Sequence, residues 1–315
     1  MKERDTAIDF VKFVALFFVL NSHMEMSYVG GAKSMATGGA IGDALFFFAS
    51  GFTLFLGKDL DIANWYKRRI NRIYPSLIAV AIIGATIFGV NDSFADVFLA
   101  KKYWFIQCIF ILYPFLFLAK KYVANHNLLL CILTPAIMAV YPFISKGSLF
   151  WGSGYYRWAI YLLFMLLGAI MGKNREKIRP MNFWLAILLT AVCIVVWYGL
   201  AYLLTTSWLL IVSVLPLMGV AVFMYYIGKS KPLGKLFHTK VGGPILITIG
   251  ALCLESYLIQ KMIITDRWNG LFPLNIPLIM ICVLIASYCA KLLSNLITQI
   301  FDSQALDWKK VFKIY

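Results

Sequence analysis

"RDTAIDFVKFVALFFVLNSHMEM", residues 4–26, is apolar enough to sit in lipid, yet it carries Asp9, Lys12 and His23. A helix crosses a bilayer with about 20 apolar residues. At 100° per residue, Lys12 to His23 is about three turns plus 20°, and Asp9 to His23 about 40° short of four turns. The three side chains therefore share one face, which runs roughly 16 Å from Lys12 to His23. Such a stripe is too costly to turn toward lipid and is expected to line a cavity or a bundle interior, with Asp9 and Lys12 in register to pair at i, i+3. Glu3, Asp5 and Asp9, and the lack of a small-residue cleavage site, argue against a removed signal peptide, so the segment reads as a first span.

The rest of the chain extends this reading. Of 315 residues, 62% are hydrophobic and 14% charged, and the mean hydropathy is +0.81. Long apolar runs separated by short polar clusters predict an all-α polytopic membrane protein rather than a soluble domain or a β-barrel. Ten spans are expected, at roughly 7–28, 40–57, 73–90, 103–119, 128–145, 157–172, 182–204, 207–228, 244–264 and 273–295. An inner N-terminus and an inner C-terminus put most of the 29 lysines and arginines on one side, leaving Lys33, Lys101, Lys102, Lys146, Arg157, Lys261 and Arg267 on the other. The net charge of +15 thus reads as an orientation signal, and no nucleic-acid partner is expected. The six cysteines lie singly in apolar segments, so neither a disulfide nor a metal site is expected.

His23 near the far end of a span is a candidate base toward a hydroxyl. Helical phase turns Glu25 about 200° away from it, leaving Asn21, Ser22 or Asp43 as partners for the ring. The densest basic cluster, "WYKRRINRIYP" at 65–75, reads as the first inner loop. Arg69 and Arg72 stand at i, i+3 beside Arg68, so on a helical turn their forks point the same way and suit phosphates; anchoring to anionic headgroups is the plainer alternative. Glu255 is an acid within the ninth span, suited to orient a sugar or to bond between helices. Trp104 and Gln107 could line the same cavity. His126 and His238 look solvated, and Tyr155, Tyr156, Arg157 and Trp158 read as an outer interfacial belt.

Arg4, Asp9, Lys12 and His23, followed by "GDALFFFASGF" (Asp43 within it) and "RRINRIYP", resemble the signature of acyltransferase family 3, the bacterial integral-membrane O-acyltransferases. "YWFIQCIFILYP" from Tyr103, "LFMLLGAIMG" from Leu163 and "ESYLIQ" from Glu255 look like weaker later blocks. The resemblance implies one transmembrane acyltransferase domain over 1–315 in a bacterial cytoplasmic membrane. It further implies an acyl-CoA donor, usually acetyl-CoA, and an acceptor hydroxyl on a saccharide or lipid-linked glycan. By the same resemblance His23 is catalytic, and Arg69 and Arg72 hold the donor. Read from the residues themselves, Asp9 and Lys12 on the His23 face join it as catalytic candidates, Arg68 joins the donor-binding pair, and Glu255, Trp104, Gln107 and Asp43 are candidates to face substrate. Lys12 stands where the family usually has arginine, and Gln260 where many members have histidine. A transporter or flippase is the competing function, although no internal two-fold repeat supports it.

Overall fold

The computed structural model describes residues 5–57, 60–144, 154–204, 208–300 and 306–314, and Lys2, Arg4, Lys58 and Lys146 lie outside these described residues. The described elements are helices: α1 Thr6–His23, α2 Gly39–Leu56, α3 Ile62–Ile87, α4 Phe94–Phe98, α5 Trp104–Tyr122, α6 His126–Ile144, α7 Tyr156–Lys173, α8 Phe183–Leu203, α9 Val214–Gly228, α10 Lys231–Phe237, α11 Gly242–Ala251, α12 Cys253–Ile263, α13 Asn275–Ile300 and α14 Trp308–Val311. Short 3₁₀ turns cover Glu25–Ser27, Gly30–Met35, Trp208–Ser213 and Asn269–Leu271. Among the described residues nine helices are long and apolar enough to cross a membrane, and α11 with α12 makes a tenth candidate bent by 72°. The all-α polytopic architecture with about ten spans is as the hydropathy pattern predicts.

Two spans differ from expectation. The basic cluster at 65–75 is not a loop: α3 starts at Ile62, capped by Asp61, whose side chain accepts from the Asn64 backbone N–H. That cap, with the burial of Trp65, carries the helix through the charged stretch, and Pro75 sits inside it, where it removes one intrahelical bond. The Asn64 side-chain and backbone donors hold the Asp61 carboxyl below its ordinary range. The ninth span is broken at Leu252, which caps α12 without a side-chain bond.

The chain divides into two compact units. The first holds the N-terminal part of α1, α2, the later turns of α5, and α6 to α10. Its α2 and α7 approach backbone to backbone. A Cβ on Gly51 would strike the Met165 carbonyl, one on Gly168 the Phe48 carbonyl, and one on Gly172 the Phe52 carbonyl. Without a hydrophobic drive between helices in lipid, such small residues bring in the van der Waals contact that holds them.

The second unit holds the C-terminal part of α1, α3, α4, the first turns of α5, nearly all of α11, and α12 to α14. The Ser76 hydroxyl donates to Glu255 Oε1 at 2.7 Å, and a Cβ on Gly84 would meet the Met262 methyl at 2.9 Å. Contacts therefore advance roughly 12 Å along α3 while advancing roughly 10 Å along α12, so the two helices run parallel. α13 runs the other way: its first residue, Asn275, donates to the Ser27 carbonyl at 2.7 Å, and Ser294 near its end lies 3.1 Å from the Ser76 hydroxyl.

Candidate active site

The second unit carries most of the sequence-predicted residues. At its α3 start, Arg69 lies over the Trp65 ring with its guanidinium carbon 4.3 Å from the centroid, and Nη1 donates to the Trp65 carbonyl at 3.4 Å. Arg69 is half-buried and Arg68 and Arg72 are exposed. Because this stretch is helical, the i, i+3 register of Arg69 and Arg72 is real, and the Arg69 guanidinium is stacked on the Trp65 ring, in a planar fork of the kind that suits an oxyanion.

One turn above Arg72 lies a buried polar network. Glu255 is 0% exposed; its Oε1 accepts from Ser76 and, at 3.2 Å, from the Lys291 ammonium. Glu255 is in the first turn of α12, where the helix end favours negative charge. Above it, Tyr103 donates to the Leu258 carbonyl at 3.1 Å.

His23 ends α1, half-buried. The positive charge of Lys261 on α12 bears on its ring. Two hydrogen bonds hold the segments that follow α1 and α12 beside each other, Ser27 Oγ to the Thr265 carbonyl at 2.9 Å and Asn269 Nδ2 to the Met26 carbonyl at 3.0 Å, and a third, Asn275 Nδ2 to the Ser27 carbonyl, adds the start of α13. His23 and Lys261 each stand four residues before the Ser27–Thr265 joint. The order along this unit is therefore arginines, Glu255 network, then His23 with Lys261, and from Arg72 to the level of Gly84 and Met262 the rise along α3 is roughly 18 Å.

The partners suggested for the His23 ring are engaged elsewhere. Asn21 Nδ2 donates to the carbonyls of Met35 and Thr37, and its oxygen accepts from Tyr28. Ser22 donates to the Val19 carbonyl, and Glu25 is exposed on the next 3₁₀ turn. Gln107 donates to the Leu99 carbonyl at 3.1 Å, and Trp104 stands edge-on against Phe105.

The first unit holds the remaining candidates. Asp9, 2% exposed, pairs with Lys12 at 3.8 Å, as the i, i+3 spacing predicts. Asp43 on α2 accepts from the Tyr161 hydroxyl, with the Arg157 guanidinium near. Arg157 is thus turned to a carboxylate within its unit rather than being a plain belt residue, and Tyr156 is buried, donating to the Ile137 carbonyl. His126 is also not a solvated loop residue. It is 7% exposed, begins α6, and its ring lies 3.2 Å from the Ala119 carbonyl and 3.4 Å from Lys173 Nζ.

Sequence reasoning passed over Ser76, Ser294, Lys291 and Lys261. Lys291 had a visible signal, a charge inside the apolar run "CAKLLSNL"; the serines had none.

A family model described as an acyltransferase domain, acyltransferase family 3, matches residues 5–295. The chain belongs to acyltransferase family 3. No match was found among curated proteins or among solved structures. Membership bears out the resemblance read from the N-terminal motifs. It makes the protein a multi-pass membrane acyltransferase, an enzyme that takes an acyl donor and an acceptor.

Proposed function

We propose that the protein moves an acyl group, acetyl above all, from acyl-CoA to a hydroxyl of a saccharide or lipid-linked glycan in a bacterial cytoplasmic membrane. The observation that carries the reading is the order along the second unit: guanidiniums at the start of α3, and an imidazole roughly 18 Å further along. A donor whose phosphates lie against Arg69 and Arg72, with Arg68 beside them, has a long thioester arm that reaches such a distance. An inner N-terminus, argued from the positive charges, puts the arginines on the cytoplasmic side where acyl-CoA resides.

His23 takes the proton of the acceptor hydroxyl. The oxygen attacks the thioester carbonyl, the C–S bond breaks, and the imidazolium returns the proton to the departing thiolate. Lys261, with its charge bearing on the ring, opposes the negative charge that develops on the carbonyl oxygen. Asp9, Lys12 and Asp43 fix helices in the first unit, whereas Trp104 and Gln107 support the loop before α5. No metal takes part in this scheme.

His23→Ala should lower acylation in membranes at least a hundredfold, the low end of a general base's contribution, while protein level and acetyl-CoA binding persist. Arg69→Gln and Arg72→Gln should each weaken acetyl-CoA binding about tenfold, the loss of one charge-assisted bond. Near-normal acylation by His23→Ala would remove the histidine from the reaction. The broken α11/α12 pair is the feature a transporter or flippase would share; purified protein that binds no acetyl-CoA would favour that reading.

A further inference from the structure

α12 carries more unpaired polarity than a membrane helix should. Glu255 Oε2, Ser256 Oγ and Gln260 Oε1 are buried and have no hydrogen-bond partner among the described residues, and all three residues are 0% exposed. The same Gln260 gives its Nε2 to the Tyr257 carbonyl at 3.2 Å, which leaves the amide oxygen over. In a span each such group costs free energy that nothing in the hydrocarbon returns. The three occur within six consecutive residues, inside a sector of about 140°, and rise roughly 7 Å along the axis. By the parallel register of α3 and α12 they lie between the level of Arg72 and that of His23 and Lys261.

We infer that Glu255, Ser256 and Gln260 form a polar track for the pantetheine arm of the acyl donor. This rests on the acyl-CoA reading above and deepens it. The chemistry is complementary: the arm carries two amides and a hydroxyl. Its N–H groups are donors for Glu255 Oε2 and Gln260 Oε1, and the Ser256 hydroxyl donates to an amide carbonyl. A hydrocarbon tail would leave the three atoms unpaired, and an inorganic anion would be repelled by Glu255. The Ser76 and Lys291 bonds to Oε1 hold the carboxylate so that Oε2 is presented to the arm.

The test uses full-length purified protein in nanodiscs and two probes: CoA, which has head and arm, and adenosine 3′,5′-bisphosphate, which has the head alone. Gln260→Leu and Ser256→Ala should each weaken CoA about fivefold, the worth of one neutral hydrogen bond, and leave the bisphosphate unchanged, which also reports that the variant is folded. Arg69→Gln should weaken both probes alike. If Gln260→Leu does not fold, Ser256→Ala carries the test. CoA binding by the variants equal to wild type overturns the track. Wild-type protein that binds neither probe overturns the acyl-CoA reading itself, a different failure.

Discussion

In the first unit α2 and α7 meet through Gly51, Gly168 and Gly172; in the second, α3, α12 and α13 meet through Ser76, Glu255, Lys291 and Ser294. The glycine seam desolvates nothing beyond backbone already bonded within its helices, and it gains dispersion contact over a close approach. The polar seam takes a carboxylate and an ammonium out of water. A buried ion pair often does no better than an apolar pair of the same shape, and removal of one partner is severe. The glycine seam is thus explained by stability alone, and the polar seam is not. Its additional work is what the unpaired Oε2 of Glu255 suggests.

The largest effect should come from cutting the ion pair on one side. Lys291→Met leaves the Glu255 carboxylate buried with Ser76 as its remaining bonded partner, at a cost of about 3–5 kcal/mol. The double variant Glu255→Gln with Lys291→Met should regain most of that stability and still bind CoA poorly. Thermal unfolding in nanodiscs measures the first quantity and CoA titration the second. Full recovery of CoA binding in the double variant would reduce the polar seam to packing and erase the contrast with the glycines.

The contrast also marks what could be read from the chain. The spans and the Asp9–Lys12 pair follow from hydropathy and the 3.6-residue period, because both are local. The start of α3 was hidden because the charges of Lys67, Arg68, Arg69 and Arg72 read as a loop, whereas the Asp61 cap and the buried Trp65 carry the helix through them. Lys291 is visible as a charge inside the expected 273–295 span, but nothing local names its partner, Glu255, 36 positions earlier. The Ser76–Glu255 bond joins residues 179 positions apart, and no periodicity reports such a pairing. The break at Leu252 contains no proline and follows Gly250 by two residues, a weak signal at best.

Gly168→Ala sharpens the other side. Its new methyl would meet the Phe48 carbonyl, a backbone atom that no rotamer change can move, so α2 and α7 must part, at about 1–3 kcal/mol. CoA binding per folded molecule should be unchanged, since every residue assigned to the donor lies in the second unit. Loss of CoA affinity in correctly folded Gly168→Ala would mean that the glycine seam also shapes the donor site.

Ser76→Ala should have the smallest effect and separates two roles of the polar seam. It removes one hydrogen bond to Oε1 and the contact with Ser294, while Lys291 still holds the carboxylate. The stability loss should be about 1 kcal/mol, well below that of Lys291→Met, because the charge stays compensated. CoA affinity should fall by less than the fivefold assigned to a direct contact, since Ser76 acts on Oε1 and the arm is assigned to Oε2. A loss in Ser76→Ala as large as in Gln260→Leu would mean that the hydroxyl fixes the direction of the carboxylate, and Ser76→Thr, which keeps the donor, should then return the lost affinity.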